Sequence, residues 1–170
     1  MTELTQPRLK KLLHYAPETG VFTWRAKRQR VKVGGVAGTQ HPDGYLRIMI
    51  DRKRYAAHRL AWLYVHGAWP VDQIDHRNGV RVDNRAANLR AATASQNQHN
   101  SKIRKNNTSG MMGACWHKDN QKWVAHITIA GRQKYLGYFA TPEAAHAAYL
   151  AAKAEHHPFQ PTIRQAGVTE

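Results

Sequence analysis

The stretch Ile74-Asp75-His76-Arg77-Asn78-Gly79 places an acid and a histidine side by side, directly before a turn dipeptide. Two carboxamide side chains follow it in the chain, Asn88 and Asn97. A carboxylate and a carboxamide offer hard oxygen ligands to a divalent cation, and a histidine can accept a proton near neutral pH. The stretch therefore favours metal-assisted hydrolysis of a phosphodiester over the simple binding of a polyanion.

The same stretch predicts a β-hairpin followed by a helix. We predict strands over residues 73–77 and 89–92, joined by a loop that begins at the Asn78-Gly79 turn. Thr93 has a glutamine three residues further on, which is the spacing of a capping box, so a helix should begin there. A helix packed across the hairpin would bring Asn97 toward the acid–histidine pair.

Ligand chemistry predicts a role for each of the four side chains. Asp75 would supply an anionic oxygen and Asn97 a neutral oxygen to Mg²⁺, with Mn²⁺ or Ca²⁺ as alternatives. His76 would act as the general base, since the reference pKa of histidine is about 6.5. Asn88 would hold the loop through bonds from its side chain to the backbone.

One geometric requirement follows from placing Asp75 and His76 next to each other on a strand. Neighbouring strand residues point to opposite faces of a sheet. The two side chains can therefore serve one site only if the strand is distorted, if it ends there, or if they approach the site from two sides.

The chain is strongly basic, which favours a polyanionic partner. Its 170 residues contain 26 Lys and Arg against 11 Asp and Glu, a formal net charge of +15. Residues 1–57 hold 12 Lys and Arg against 4 Asp and Glu, and residues 101–170 hold 9 against 4, whereas residues 58–100 hold only 5 against 3. We expect nucleic acid as the partner, with more basic segments on both sides of the motif holding it there.

The single cysteine, Cys115, limits how the chain can be stabilised. One thiol excludes a disulfide within the chain and a four-cysteine zinc ribbon. The sequence has no apolar run long enough for a membrane span and no signal-peptide pattern, so we expect a cytoplasmic protein with no membrane partner. The length predicts one or two small domains.

The first 70 residues predict a β-rich region with two helices. Leucine spacing indicates a helix over residues 7–16, and a turn separates it from a strand over residues 21–24. A hairpin signal leads into a strand pair over residues 45–50 and 55–57. Residues 58–66 are apolar at helical spacing and are followed by glycine, which ends a helix.

A second pattern follows a polar and basic linker at residues 102–108. Thr141-Pro142-Glu143 is typical of a helix start, and an alanine-rich run carries that helix to about residue 156. Residues 158–170 would form a tail. Three antiparallel strands are predicted before the helix, over residues 114–116, 123–129 and 133–139. The whole chain is thus predicted to be an α+β protein.

The acid–histidine pair, taken with Asn88 and Asn97, strongly resembles the HNH endonucleases of phages and mobile introns, in the subgroup whose third letter is asparagine. His58-Arg59, before the hairpin, is similar to the lead-in of that subgroup, although we interpret His58 as a structural histidine. The resemblance spans roughly residues 12–101. It implies a phage or prophage protein of the homing type that hydrolyses phosphodiester bonds.

That resemblance also implies a fold and a division of roles. A ββα-metal core would cover about residues 71–101 of a nuclease domain spanning residues 1–101. The side chains of the motif would take the roles that ligand chemistry gives them, with His76 as the base, Asp75 and Asn97 at the metal and Asn88 in the loop.

The C-terminal block, residues 109–157, carries a motif of its own. It consists of Ser109-Gly110, Gly113, Trp116, Lys122-Trp123, Ala125, Ile127, Leu136-Gly137, Phe139, Thr141, Glu143-Ala144-Ala145 and Ala148-Tyr149. This set resembles the AP2 DNA-binding domain, which implies a three-stranded sheet that enters the major groove of duplex DNA. The family's usual arginines are replaced here at Met112, Cys115 and His117, so its base-reading pattern does not transfer.

Basic and polar side chains in both parts of the chain are candidates for contact with DNA. The basic run over residues 25–32 is open to a second interpretation, as a solvated loop. The candidates are Arg25, Lys27, Arg28, Arg30, Arg59, Arg77, Arg85, Lys102, Arg104, Lys105, His117, Lys118, Lys122, Arg132, Lys134 and Tyr135.

Three functions compete at this point. The first is a metal-dependent endonuclease that cuts double-stranded DNA as a monomer or a homodimer. The second is a non-catalytic, sequence-preferring DNA-binding protein with a relict nuclease core. The third is an RNA-directed protein, for which the sequence offers no aromatic stacking signature on a sheet.

Overall fold

The computed structural model describes residues 3–27, 31–99, 107–157 and 159. The chain divides into two compact units, Met1–Thr93 and Ala94–Glu170. Within the described ranges, no helix has the length and apolar character needed to cross a membrane. Most of the predicted linker and tail lie outside the described residues, as do five predicted DNA contacts: Arg28, Arg30, Lys102, Arg104 and Lys105.

The first unit combines small antiparallel sheets with two helices. Its elements in chain order are α1 (Gln6–Leu12), β1 (Leu13–Ala16), β2 (Val21–Trp24), β3 (Thr39–Gln40), β4 (Leu46–Ile50), β5 (Lys53–Ala56), α2 (Ala57–His66), β6 (Gln73–His76), a 3₁₀ turn (Ala86–Asn88) and β7 (Leu89–Ala92). The sheets pair β1 with β2, order β3-β4-β5, and pair β6 with β7. This mixture of helices and antiparallel sheets agrees with the predicted α+β class.

The first helix is shorter than the sequence predicts. Thr5 caps it by accepting a hydrogen bond from the backbone N–H of Arg8 at 3.5 Å. The helix ends at Leu12, so the prediction of a helix over residues 7–16 was wrong for its last turn. Residues 13–16 form β1 instead, because they pair with β2 and place Leu13 opposite Trp24.

Apolar side chains from α1, β1, β2, β4 and α2 form the core of the first unit. The ring of Tyr15 lies 4.7 Å from that of Phe22 and 5.5 Å from that of Tyr64. Each large apolar side chain that is removed from water contributes about 2 kcal/mol. This core fixes the positions of α2 and β4. Its most buried members include Leu9, Leu13, Tyr15, Phe22, Ile48, Ile50, Leu60 and Leu63.

The β6–β7 hairpin carries the acid–histidine pair. Its register places Asp75 opposite Arg90 and His76 opposite Leu89. The predicted strand over residues 89–92 is confirmed, and the predicted strand over residues 73–77 ends one residue early, at His76. The pair therefore lies at the very end of its strand, which is one way to satisfy the geometric requirement on neighbouring strand residues.

The second unit contains a sheet of order β10-β9-β8 and a long helix. Thr141 accepts a hydrogen bond from the backbone N–H of Ala144 at 3.2 Å and begins the helix where the sequence predicted. The three predicted strands and the C-terminal helix are confirmed. The elements are α3 (Ala94–His99), β8 (Ala114–His117), β9 (Lys122–Ile129), β10 (Arg132–Phe139) and α4 (Pro142–His156).

Small residues bring α4 close to the sheet in the second unit. Ala145 of α4 is buried against Ala114 and Ala125 of the strands. Gly113 has a φ of +79°, and a Cβ there would lie 2.1 Å from the Tyr149 ring, so both the backbone and the packing require glycine. The partly buried side chains that pack against this core are Met111, Trp123, Leu136, Phe139 and Ala148.

Candidate active site

Asp75 forms a salt bridge with Arg90, which lies opposite it on the neighbouring strand. Arg90 donates from Nε and Nη2 to Oδ2 of Asp75 at 2.9 and 2.7 Å. Asp75 and His76 are only 3% and 4% exposed. The carboxylate is therefore held away from bulk water by a cross-strand guanidinium, whose charge offsets the cost of burial.

His76 has a different set of neighbours from Asp75. Its Nε2 lies 3.4 Å from Oδ1 of Asn84, and its ring lies 5.2 Å from that of His58 and 6.0 Å from that of Tyr45. Asp75 thus contacts β7, whereas His76 contacts α2 and the loop after β6. The two side chains leave the strand end in different directions, as strand geometry requires.

His58 is neutral beside His76. Burial, with smaller contributions from the neighbouring His76 and Arg59, lowers the pKa of His58 to about 3. A neutral His58 can lie edge-on to the His76 ring without adding a second positive charge. The sequence predicted only that His58 is a structural histidine. The structure shows that its ring lies next to the His76 ring.

Asn88 ties the loop after β6 to the second strand. Its Oδ1 accepts a hydrogen bond from the backbone N–H of Asn78 at 3.0 Å, and its Nδ2 donates to the carbonyl of Asp83 at 2.8 Å. The backbone N–H of Arg77 also donates to the carbonyl of Asn88, at 2.9 Å. The side-chain-to-backbone bonds predicted for Asn88 are therefore present, and they close the loop at both ends.

The β1–β2 turn and Tyr15 of β1 pack against the loop that follows β6. Gly20, with φ +74°, approaches so closely that a Cβ there would lie 2.5 Å from the backbone of Asn84 and Arg85. The Tyr15 hydroxyl donates to the carbonyl of Asn84 at 2.7 Å. Burial, together with the charge of Asp83, raises the pKa of Tyr15 to about 12, so the hydroxyl remains a donor. The core thereby fixes Asn84 beside His76.

A second side chain, Tyr45, is held beside His76 from the β3–β4 turn. The Arg81 guanidinium lies 5.0 Å from the centre of the Tyr45 ring, and its Nη1 donates to the carbonyl of Asp43 at 2.6 Å. The Tyr45 ring lies 5.1 Å from that of His58. This cation–π contact links the hairpin loop to the turn that holds Tyr45 beside His76.

The predicted DNA contacts of the first unit are only partly available. Arg59 donates to the carbonyls of Pro70 and Asp72 and ties the first turn of α2 to the segment before β6. Arg85 is bound to Asp83 at 2.6 Å, which raises the pKa of the guanidinium. The side chains of Arg25, Lys27 and Arg77 are exposed.

The predicted contacts of the second unit lie in its sheet and turns. Lys134 is within 3.4 Å of Nε2 of His156. The backbone N–H of Asn120 donates to Nδ1 of the half-buried His117 at 3.3 Å. The remaining four side chains are exposed: Lys118, Lys122, Arg132 and Tyr135.

The donors of the motif fit a hard divalent cation. A carboxylate has about four lone-pair directions, so it can accept hydrogen bonds from an arginine and also bind a cation. Among the residues that the structure describes, no group of three His, Cys, Asp or Glu side chains is arranged to hold a metal. One carboxylate and one carboxamide, completed by water and phosphate oxygens, match the way Mg²⁺ binds beside nucleic acids. Asp75 and Asn97 stay the predicted ligands.

Three neighbours of the motif were missed by sequence reasoning. Arg90 could have been found from the predicted hairpin, because its strands place residue 90 opposite residue 75. Asn84 and Tyr45 carry no local signal. They reach His76 through a loop and a turn whose positions depend on long-range contacts.

Residues 55–99 match the family model described as HNH endonuclease. The match covers the second helix, the hairpin and all four side chains of the motif. This segment of the chain is therefore similar to HNH endonucleases.

Two known proteins are similar to longer parts of the chain. Protein 3.8 of Escherichia phage T7 is 35% identical over 77 residues, which are 45% of this chain and 64% of that protein. The chain thus spans 64% of the length of this curated relative. A structure titled DNA binding and cleavage by the HNH homing endonuclease I-HmuI aligns with 86% of this chain and 85% of its own, at 20% identity and a TM-score of 0.42.

Proposed function

We propose that this protein is a metal-dependent endonuclease of the homing HNH type that hydrolyses phosphodiester bonds in duplex DNA. The observation that carries the proposal is the buried Asp75–His76 pair, on a hairpin within the segment that matches the HNH endonuclease model. Burying ionisable groups costs free energy, so such a pair, in a fixed geometry, is typical of a functional site.

His76 is the proposed general base. It takes a proton from the attacking water while the water oxygen bonds to phosphorus and the bond from phosphorus to the leaving 3′ oxygen breaks. Asn84 and the rings of His58 and Tyr45 hold the imidazole in one orientation. The neutrality of His58 matters here, because a charged neighbour would oppose the imidazolium that forms on His76.

Asp75 and Asn97 are proposed to hold the divalent cation, Mg²⁺ or Mn²⁺. When bound, the cation would stabilise the charge that develops on the phosphate and on the leaving oxygen. Arg90 fixes the orientation of the Asp75 carboxylate across the hairpin. Asn88 keeps the loop after His76 closed, so that the base and the carboxylate stay in place.

Basic side chains in both units are proposed to contact the DNA phosphates. The exposed cations Arg25, Lys27 and Arg77 would do so in the first unit. In the second, Lys118, Lys122 and Arg132 would do so, as part of an AP2-like domain that binds duplex DNA. Phosphate contacts hold the enzyme on DNA without specifying sequence.

Relaxation of a supercoiled plasmid tests this function. We expect nicked or linear product from the full chain with Mg²⁺ or Mn²⁺ and none with EDTA. The rate should fall at least about 100-fold in His76→Ala. His66→Ala is the matched control, because it removes an exposed histidine at the end of α2. Cutting by His76→Ala at the wild-type rate would show that another group is the base.

A DNA-binding protein without catalysis is the second candidate. It is favoured by one observation, that Arg90 already binds Oδ2 of Asp75. If that ion pair excluded the cation, the protein would shift DNA in a gel and cut none with any divalent metal. Calorimetric titration with Mn²⁺ separates the two candidates, since only the enzyme should bind the ion, and Asp75→Asn should weaken that binding.

A further inference from the structure

Exposed aromatic rings lie on the face of the β8–β10 sheet that is opposite α4. Trp123 and Ala125 pack with α4, so strand alternation places His126 on the other face. Its cross-strand partner there is Tyr135, and Tyr138 lies on the same face. Tyr135 and Tyr138 are 49% and 41% exposed, which leaves much of each ring open to a ligand.

A β-bulge places the two tyrosines on one face. In a regular strand, residues three apart point to opposite faces. The register between β9 and β10 shifts between Tyr135 and Gly137, so that Tyr135 pairs with His126 and Tyr138 with Val124. Bulges of this kind redirect a side chain and are frequent at functional sites.

The rings form one connected row. The Tyr138 ring lies 5.4 Å from that of His117 and 5.4 Å from that of Tyr135, both edge-on, and the Tyr135 ring lies 5.7 Å from that of His126. We call these four residues the tyrosine face. Because each ring is braced by a neighbour, little side-chain freedom would be lost when a ligand binds.

This surface has few of the side chains that read base edges in a groove. Such reading relies on the paired donors and acceptors of Arg, Asn and Gln. The strand positions on this side of the sheet hold one glutamine and no arginine, whereas exposed rings suit stacking on the faces of unpaired bases. Those positions are Cys115, His117, Lys122, Val124, His126, Thr128, Gln133, Tyr135 and Tyr138.

The charges around the tyrosine face suit a nucleic-acid backbone. Lys122 begins β9 on this face opposite His117, and Lys118 lies in the adjoining β8–β9 turn. Both lysines are exposed, with Asp119 as the acid in that turn. Desolvation and the neighbouring Tyr138 raise the pKa of Tyr135, so its ring carries no negative charge near phosphates at neutral pH.

We propose that the tyrosine face binds single-stranded DNA by stacking unpaired bases on Tyr135 and Tyr138, while the nearby Lys118 and Lys122 contact phosphates. The proposal rests on the proposed function only in taking DNA as the ligand. It corrects the sequence interpretation, which found no aromatic stacking signature on a sheet. The bulge explains the omission, since simple alternation separates the two tyrosines.

Binding measurements with two probes test the proposal. Fluorescence anisotropy would follow the full chain with labelled oligo-dT of about 15 nucleotides and with a duplex of the same length, in EDTA so that nothing is cut. We expect Tyr135→Ala and Tyr138→Ala each to weaken single-strand binding at least about fivefold and duplex binding by less than about twofold. The matched Tyr→Phe variants keep the rings and should retain affinity.

Other outcomes would overturn the proposal. These are equal losses on single strand and duplex, no loss on single strand, or tighter binding of oligo-rU than of oligo-dT. Lys122→Ala should weaken both DNA probes and lower the salt dependence, as a phosphate contact does. If an alanine variant unfolds, Tyr138→Leu keeps the bulk without the ring. Because binding is measured without metal, failure of the nuclease proposal would appear only in plasmid relaxation.

Discussion

The hairpin of the first unit and the tyrosine face of the second unit place their proposed functional side chains in opposite settings. At the hairpin, Asp75 and His76 are buried, and an ion pair and hydrogen bonds surround them. On the tyrosine face, Tyr135 and Tyr138 are about half exposed and touch other rings edge-on. A group that transfers a proton needs fixed partners, whereas a surface that accepts any base needs rigid rings with open faces.

This contrast predicts that single changes at the hairpin cost stability, and that the largest cost follows loss of Arg90. In Arg90→Met the buried Asp75 carboxylate would lose its cross-strand cation, which should lower the free energy of unfolding by about 3–5 kcal/mol. Urea denaturation would measure the loss. The double variant with Asp75→Asn should recover part of it, because the buried charge is gone.

A second arginine–aspartate pair is the matched control. The side chain of Arg85, bound to Asp83, is 53% exposed, against 15% for Arg90 bound to Asp75. We expect Arg85→Met to cost much less stability than Arg90→Met, because water screens an exposed pair. If Arg85→Met and Arg90→Met lost the same free energy of unfolding, burial would not explain the importance of the Arg90–Asp75 pair.

His58 should make the first unit sensitive to acid. The unfolded chain binds a proton at His58 near a pKa of about 6.5, whereas the folded protein does so only near 3. The free energy of unfolding should therefore fall as the pH drops below about 6.5, by up to about 3 kcal/mol at a pH of about 4.5.

The variant His58→Gln provides the comparison for that pH dependence. Glutamine does not titrate, so its stability should vary less over the same range. Urea denaturation at several pH values would measure both proteins, and parallel curves would show that burial of His58 does not govern the acid response.

Loss of Asn88 should have an intermediate effect. Asn88→Ala leaves the N–H of Asn78 and the carbonyl of Asp83 without their side-chain partner, which should cost about 2 kcal/mol. Asn78→Ala is the control at the exposed end of the same loop and should cost less than about 1 kcal/mol. Thermal denaturation followed by circular dichroism would rank the two, and the reverse order would contradict the role of Asn88.

The smallest expected effect lies in the second unit, at the start of α4. Thr141→Ala removes the cap on the N–H of Ala144 and should cost about 1 kcal/mol. Thr141→Ser keeps the hydroxyl and should cost less. A loss in Thr141→Ala as large as that in Arg90→Met would contradict the view that the hairpin is the more constrained region.

Local patterns were sufficient to predict the second unit and the hairpin. The alternation of β9 and the Thr141-Pro142-Glu143 start of α4 depend on neighbours in sequence, and both are present in the structure. The spacing of Asp75, His76 and Asn88 likewise placed the motif on a hairpin whose strands end close to the predicted residues.

Long-range contacts account for what the sequence did not predict. Leu13 continues the leucine spacing of α1, yet it is a strand residue because it pairs with Trp24. Asn84 reaches His76 because the loop is fixed by Tyr15, 69 residues away in the chain. Such positions depend on the packed core, and no local pattern encodes them.

The central claim is that the hairpin cuts DNA and the tyrosine face binds its single-stranded part. The most direct test uses one DNA, a duplex with an internal single-stranded gap. Cutting at saturating protein with Mg²⁺ and affinity in EDTA would be measured for His76→Ala and for the double variant Tyr135→Ala, Tyr138→Ala. We predict that His76→Ala loses at least about 100-fold in cutting while its Kd changes less than about threefold. The tyrosine variant should lose at least about tenfold in affinity. Cutting by His76→Ala at the wild-type rate, or an affinity of the tyrosine variant equal to the wild type, would contradict this division.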